Sequence, residues 1–537
     1  MTKALLAAAM ILAAVTAATA GQPGARPRDL MPGRPSTGSG IITGRVTASD
    51  TGVPLRQALV AATGVMGMPR EATTDDQGRF ELRSLEPGPW QISVSRSGYI
   101  TRKFGQARPF GRATAITMTN GQRVNIEIPL TRGSAIVGRI FDEFGEPVTA
   151  ARVSVLRPTM VRHRRYLEPI GEGDSTDDTG AFRLHSLPAG EYYVTASARV
   201  APPDSVVQST LSPTYFPGTG DFGSAQKIRV APGSETVADF PLLPVRTARV
   251  SGVVYTSNGH PADAFLNLTS DAGELGAPLG AGGVTRDDGH FLMAEIPPGR
   301  YTLVAEVRAN PSTIAEIATA SIVVNGADVE GLTLTTAKPG SLRGTIVADA
   351  GVRRRLPQEI EIAARPRRQG AEATFASVAS TSFEMPTPPG PFTLEVDVPD
   401  GWAVKSMTMG GLDASDLAID IGSEQAVPVT VVLTDRMTDV SGTVAGIDAS
   451  GASVVVFPAD SSNWTPRRVR SAQTDARGRF RIVGLPPGER YLAVAVRDIE
   501  EGQEDDPDFL QQIQNQATPF DLGVDEKRLL DLKVLQQ

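Results

Sequence analysis

The chain has 537 residues, with 52 Lys and Arg set against 60 Asp and Glu, a formal net charge of −8 at pH 7. An acidic chain lacks the basic surface on which phosphate neutralisation depends, so nucleic acid is excluded as the expected partner. Cysteine is absent, which excludes disulfides, thiolate zinc sites, a cysteine nucleophile and a lipid-modified cysteine together. With 54 Gly and 41 Pro the chain is turn-rich yet still within the globular range.

At the N-terminus Lys3 precedes an apolar run from Ala4 to Val15, and Ala18-Thr19-Ala20 supplies small residues before Gly21. A charged start, a short apolar stretch and a small-residue end read as a secretory signal peptide over 1–20, with cleavage expected after Ala20. Residues 21–40 read as a Pro/Gly linker. Nothing later reaches the roughly 18 apolar residues of a spanning helix, so no membrane span is expected. The short arginine runs Arg162 to Arg165 and Arg353 to Arg355 are expected to be solvated loops.

From residue 41 onward one pattern recurs five times. An apolar-x-Gly-x-apolar strand is centred on Gly44, Gly138, Gly252, Gly344 and Gly442, at spacings of 94, 114, 92 and 98 residues. Period-two alternation buries one face of such a strand, and glycine on that face predicts close approach of another backbone or a large ring. A second motif follows each time, as TTDDQGRFELRSLEPGPW from Thr73 to Trp90 and STDDTGAFRLHSLPAGEY from Ser175 to Tyr192. Its fixed parts are Phe80, Phe182, Phe291, Phe383 or Phe480, then a turn glycine, then an aromatic. Two alternating strands about a Pro/Gly turn predict a hairpin-like unit, and a last apolar strand such as Ile126, Ile128, Leu130 closes each copy.

The copies span 41–131, 134–245, 248–336, 340–435 and 439–537, each the size of a two-sheet sandwich. The fourth is divergent, without the Asp-Gly turn. A short helix is expected near 506–516, where DPDFLQQIQNQ carries a helix-like start. Short links such as Thr131 to Gly133 and Thr336 to Lys338 predict a semi-rigid rod.

The glycine-containing first strand, the D-x-x-G-x-F turn and the L-x-P-G-x-Y segment together resemble the carboxypeptidase regulatory-like domain. The resemblance implies an all-β fold of five tandem Ig-like or transthyretin-like sandwiches, also grouped with carbohydrate-binding-like folds. It implies function weakly, because such domains accompany many activities. The zinc-binding His-x-x-Glu pair of the metallocarboxypeptidases is missing: His163, His185, His260 and His290 have no Glu three residues on. Nucleophile-elbow, H-E-x-x-H and phosphate-loop motifs are missing as well. No catalytic residue, cofactor or metal is therefore expected. The acidic pairs Asp75-Asp76, Asp177-Asp178 and Asp287-Asp288 lack the alternating ladder of a calcium loop and read as tight turns.

Of the aromatics, Trp90 and Trp402 occupy structural positions. Trp464 is the one tryptophan with no counterpart in other copies, and Tyr215-Phe216 lies in a Pro/Gly-rich loop; these three are the candidate ligand-binding residues. The expected role is a secreted or periplasmic, non-enzymatic binding or scaffold protein of the cell envelope or surface. Its partner would be an envelope protein or a polysaccharide. A carbohydrate-binding accessory protein is the alternative.

Overall fold

The computed structural model describes residues 38–64, 69–161, 164–200, 209–270, 280–310, 313–352, 354–367, 373–378, 381–387, 390–446 and 449–535. The signal peptide and residues 21–37 of the linker lie outside these. Strand makes up 58% of the described residues, and the α-helix among them is Pro507–Ile513, so the fold is all-β. No helix among the described residues is long and apolar enough to cross a membrane.

The first repeat sets the pattern. Strand Gly40–Ala48 lies between Arg79–Leu85, antiparallel, and Arg123–Leu130, parallel. A second sheet carries Arg70–Thr73, Leu59–Gly64, Gly88–Arg96 and Tyr99–Lys103 in that order. Side chains alternate in and out of the space between, so Ile42, Val46, Leu82, Ile92, Val94 and Ile128 form one core. Corresponding clusters fill the ranges 136–242, 248–334, 342–433 and 440–532.

The glycine of the first strand stands opposite the motif phenylalanine in all five repeats: Gly44 to Phe80, Gly138 to Phe182, Gly252 to Phe291, Gly344 to Phe383 and Gly442 to Phe480. A Cβ on Gly44 would come within 2.8 Å of the Phe80 ring and would also collide with the Ile126 carbonyl of the parallel strand. On Gly138 it would meet Phe182 at 2.9 Å and the Ala238 carbonyl. Ring and backbone thus close on the glycine from its two neighbouring strands, as the alternation predicts.

The expected hairpin is not formed. Arg79–Leu85 belongs to one sheet and Gly88–Arg96 to the other, and the same separation holds for Ala181–Leu187 and Gly190–Val200. The Pro/Gly turn is an arch that carries the chain across the core. Alternation specifies which residues are buried but not which strand is the neighbour: Gly88–Arg96 pairs with Leu59–Gly64 and leaves Arg79–Leu85 at the edge of its sheet. The arch is tied by its own aromatic. Tyr192, Tyr301 and Tyr491 donate their hydroxyls to the carbonyls of Pro188, Pro297 and Pro486 at 2.8, 2.9 and 2.8 Å, and the Trp90 indole N–H reaches the Glu86 carbonyl at 2.9 Å. Burial pushes the Tyr192 and Tyr301 phenols up to about 12.

A buried threonine before the acidic turn adds a second tie. The Thr74 hydroxyl accepts from Ala58 N and donates to the Leu55 carbonyl, and Thr176 and Thr285 do the same with Ala151 and Val148, and with Ala264 and Ala262. In the fourth repeat Val378 takes the corresponding place and is buried.

The fifth repeat differs in being covered on an outer face. Strand Ser453–Pro458 is buried at every position. Val455 and Phe457 pack with Phe509, Leu510 and Ile513 of the helix, while Val454 and Val456 face the sandwich core. A strand buried on both faces reads as a continuous apolar run, which is what SVVVFP is. The helix therefore seats the preceding segment, 498–506, at one end of the repeat.

Gly44→Ala should destabilise the first repeat by about 1–3 kcal/mol, the usual cost of overpacking. Hydrogen exchange that accelerates within 40–130 and is unchanged within 340–435 is the expected result.

Candidate functional site

The three candidate aromatics are packing residues in the structure. Tyr215 is 5% exposed, clustered with Leu156 and Leu167, and its ring meets Phe222 edge-on at 5.4 Å. Phe216 is half-buried against the core of the second repeat, edge-on to Phe240 at 5.9 Å. Trp464 is half-buried, edge-on to Phe457 at 5.8 Å, with its indole N–H donated to the Pro458 carbonyl at 2.9 Å. Burial removes Tyr215 as a sugar platform. Trp464 lies about 250 residues along the chain from the other two, with separate core partners, so the three are not joined in one site.

The acidic turns are backbone devices. Asp75 accepts from Gln77 N and Arg79 N at 2.9 and 2.8 Å, Asp177 from Thr179 N and Ala181 N, and Asp475 from Arg477 N and Arg479 N. Gly78, Gly180 and Gly478 take φ of 72° to 73°, which favours glycine at those turns. The Arg479 guanidinium and backbone N–H beside Asp475 hold its carboxyl down to about 2.

Functional geometry that the sequence patterns left unread lies where three repeats meet. In the first repeat the loop 102–112 is built around buried Gln106, which accepts from Lys103 N at 2.8 Å and donates to the Gly111 carbonyl at 2.7 Å. Arg102 closes the loop by donating to the Pro129 and Gln106 carbonyls. Phe110, at φ 63°, leaves the first repeat and packs against the core of the second. This holds Lys103, Arg108 and Arg112 along one rim.

Against that rim lies the segment DIEEGQEDDPD of the fifth repeat, Asp498 to Asp508, with seven carboxylates in eleven residues and no basic residue. Arg108 Nε donates to Asp498 Oδ2 at 3.0 Å, and Arg112 pairs with Glu504. Lys103 stands 3.7 Å from Glu501. The second repeat supplies Arg157, paired with Glu500 and stacked 3.9 Å from the Phe110 ring, and Arg165, which donates to Asp506 at 2.7 Å and pairs with Asp508. Backbone contact seals the junction: Glu501 N donates to the Phe110 carbonyl at 3.0 Å, and Gly111 bridges Glu500 as antiparallel partners. Gly502 turns at φ 80° directly against the Met160 carbonyl.

Asp506 has a double role. Its Oδ1 caps the helix by accepting from Asp508 N at 3.0 Å and also receives Arg165. The two carboxylates raise the pKa of Arg165, whereas burial lowers that of Arg157. Beside the ion pairs remains a polar cleft of about 440 Å³, lined by Gln91, Arg112, Ser471, Gln473, Glu501 and Glu504.

This junction overturns two expectations. The chain is not a rod, since the fifth repeat returns to the first two. Nor is the Arg162 to Arg165 run a solvated loop over its described part. Arg164 and Arg165 open strand Arg164–Ser175; Arg165 is engaged as above, and Arg164 donates to the Arg367 carbonyl of the fourth repeat. Another joint, between the fourth and fifth repeats, is made by Arg467, which donates to the Val404 and Lys405 carbonyls at 2.8 and 3.1 Å, and by Arg468 with Asp416 at 3.0 Å.

Two outcomes follow. Because its folded pKa is depressed, Asp475 should favour the folded state above the ordinary carboxylate range of about 4, and lose that contribution as pH falls toward about 2. A carboxyl NMR titration of Asp475 should place its midpoint there. Trp464→Ala should cost roughly 2 kcal/mol, less than a fully buried tryptophan, and hydrogen exchange should accelerate within 450–520.

Comparison with known proteins matches residues 41–131 and 135–243 to the family described as carboxypeptidase regulatory-like domain. Similar solved structures include a streptococcal ancillary pilin, at 10% identity over 55% of this chain and 99% of that one, TM-score 0.21. A minor pilin of Streptococcus agalactiae is 10% identical over 38% and 97%, TM-score 0.19. Two B repeat units of the collagen binding protein of Staphylococcus aureus are 11% identical over 68% and 93%, TM-score 0.14. TM-scores this low establish no common whole-chain arrangement. No curated protein matches the chain. The first two repeats, with their glycine-gripped first strand and tied arch, are tandem carboxypeptidase regulatory-like domains.

Proposed function

We propose that the protein is a secreted or periplasmic, non-enzymatic scaffold and binding protein of the cell envelope or surface. It is built from five tandem domains at 41–131, 134–245, 248–336, 340–435 and 439–537. The observation that carries this reading is the joint of the fifth repeat onto the first two, by side-chain ion pairs and by backbone pairing at Gly111 and Glu500. Repeats with separate cores, held against one another through specific contacts, present several surfaces in a set relation. That is what a multivalent scaffold needs, since avidity grows only where geometry allows simultaneous engagement. The regulatory-like family of the first two repeats agrees with a role that is not catalytic.

The alternative, a carbohydrate-binding accessory protein, has less support, because Tyr215 is buried and Phe216 and Trp464 are engaged in packing.

Chain 21–537, immobilised and exposed to envelope extract and to a panel of soluble and insoluble polysaccharides, should retain a defined protein, and Trp464→Ala should leave that retention unchanged. Retention of a polysaccharide that survives salt and is lost in Trp464→Ala would instead favour the accessory reading.

A further inference from the structure

We propose that the segment 498–508 is an electrostatic latch. It holds the fifth repeat on the first two at low ionic strength and releases at high ionic strength while every repeat stays folded.

The argument rests on a difference in kind between two sets of contacts. Within repeats, the structure is held by apolar cores whose members are almost wholly buried, such as Ile42, Val60, Val153 and Val454 at 0% exposure. Burial of this kind is not screened by salt, and excluded salts strengthen it. Between the fifth repeat and the first two, the contacts are chiefly charge on charge. The side chains of Lys103, Arg108 and Arg165 retain 43%, 46% and 34% of their exposure, and Glu501 and Asp508 retain 70% and 68%, while the pairs Arg112 with Glu504, at 20% and 15%, and Arg157 with Glu500, at 15% and 29%, are more shielded. Salt weakens the exposed pairs most and the shielded ones less. The cleft of about 440 Å³ between Arg112, Ser471, Glu501 and Glu504 gives water and ions a way in.

The segment is also set up to move as a unit. It lies between strand Arg490–Val496 and helix Pro507–Ile513, both seated in the fifth repeat. Its turns are closed internally by Glu500 N on Gln503 Oε1 at 2.9 Å and by Asp505 N on the Gly502 carbonyl at 2.9 Å. Leaving the junction therefore costs it no internal structure. Arg112 is likewise held on a loop that Gln106 and Arg102 organise within the first repeat. The fourth-to-fifth joint rests in part on Arg467 donated to the uncharged Val404 and Lys405 carbonyls, between repeats adjacent in the chain, so the last two repeats swing together. The contact from Arg164 to the Arg367 carbonyl is an exposed hydrogen bond and parts with the latch.

The test is small-angle scattering of chain 21–537 in about 0.1 M and about 1 M sodium chloride, across which the screening length falls from about 10 Å to about 3 Å. The maximum dimension should grow by roughly 30 Å or more, one domain diameter, with the far-ultraviolet spectrum unchanged. Arg108→Glu with Arg112→Glu should give the larger dimension already in low salt. Adding Asp498→Arg and Glu504→Arg should restore the smaller one, which loss of folding could not do. Should the variants not fold, the salt series on the unaltered chain stands alone. Equal dimensions in both salts overturn the latch, as does an expansion that comes with loss of the strand spectrum.

Discussion

Each repeat depends on a strand with a neighbour on either side and no room for a side chain at its centre. Gly44 lies across from Phe80 on the antiparallel side and Ile126 on the parallel side, and a Cβ there would strike both. The motif ring fills the space a Cβ would take, so glycine and phenylalanine act as one packing unit. The parallel partner is the last strand of the repeat, some eighty residues on. Its arrival at the glycine is therefore the step that closes the sandwich, and parallel pairing of this kind requires a crossover through the other sheet.

The arch makes that crossover possible. A two-residue connection between Leu85 and Gly88 would ordinarily favour a hairpin, but Gly88–Arg96 pairs with Leu59–Gly64 in the other sheet and Arg79–Leu85 stays at the edge of its own. The chain must pass to the opposite sheet, and the aromatic after the turn glycine ties the turn carbonyl as it does so. A carbonyl in such a tight, half-buried corner would otherwise lack a donor. In Tyr192, Tyr301 and Tyr491 the hydroxyl serves this need, and in Trp90 the indole N–H does. Phe392 has no donor, and its backbone N–H instead pairs with the Ile419 carbonyl, in the repeat whose motif departs furthest.

Contacts between repeats follow a different rule. Interiors are apolar and alike, whereas the junction of the fifth repeat with the first two is built from charges. The loop 102–112 and the acidic segment before the helix belong to the first and fifth repeats, and the hairpin bearing Arg157 and Arg165, though it has counterparts such as Leu59–Gly64 with Arg70–Thr73, carries its arginines on strands of 10 and 12 residues. A chain of repeats can in this way keep its units stable while making their mutual placement specific, because opposite charges select a partner more than they add affinity.

The recurrence of the strand and turn motifs, the buried face of each first strand and the need for glycine there were readable from alternation and spacing, since these are properties of a few adjacent residues. So was the turn role of Asp75 and Asp177, whose backbone partners lie within four residues. Trp464 looked like a ligand platform because it had no counterpart and Phe216 because of its Pro/Gly-rich loop, yet such an aromatic is as readily a plug for a local gap. The arch was misread as a hairpin because alternation does not name a strand's neighbour. The acidic segment and the basic rim were visible as compositions but not as partners: Arg108 and Asp498 are 390 residues apart, and no local pattern reports on a contact of that separation. Periodicity is a short-range record of which side of a strand meets the core. The pairing of strands across sheets and of charges across repeats exists only once the chain has turned back on itself.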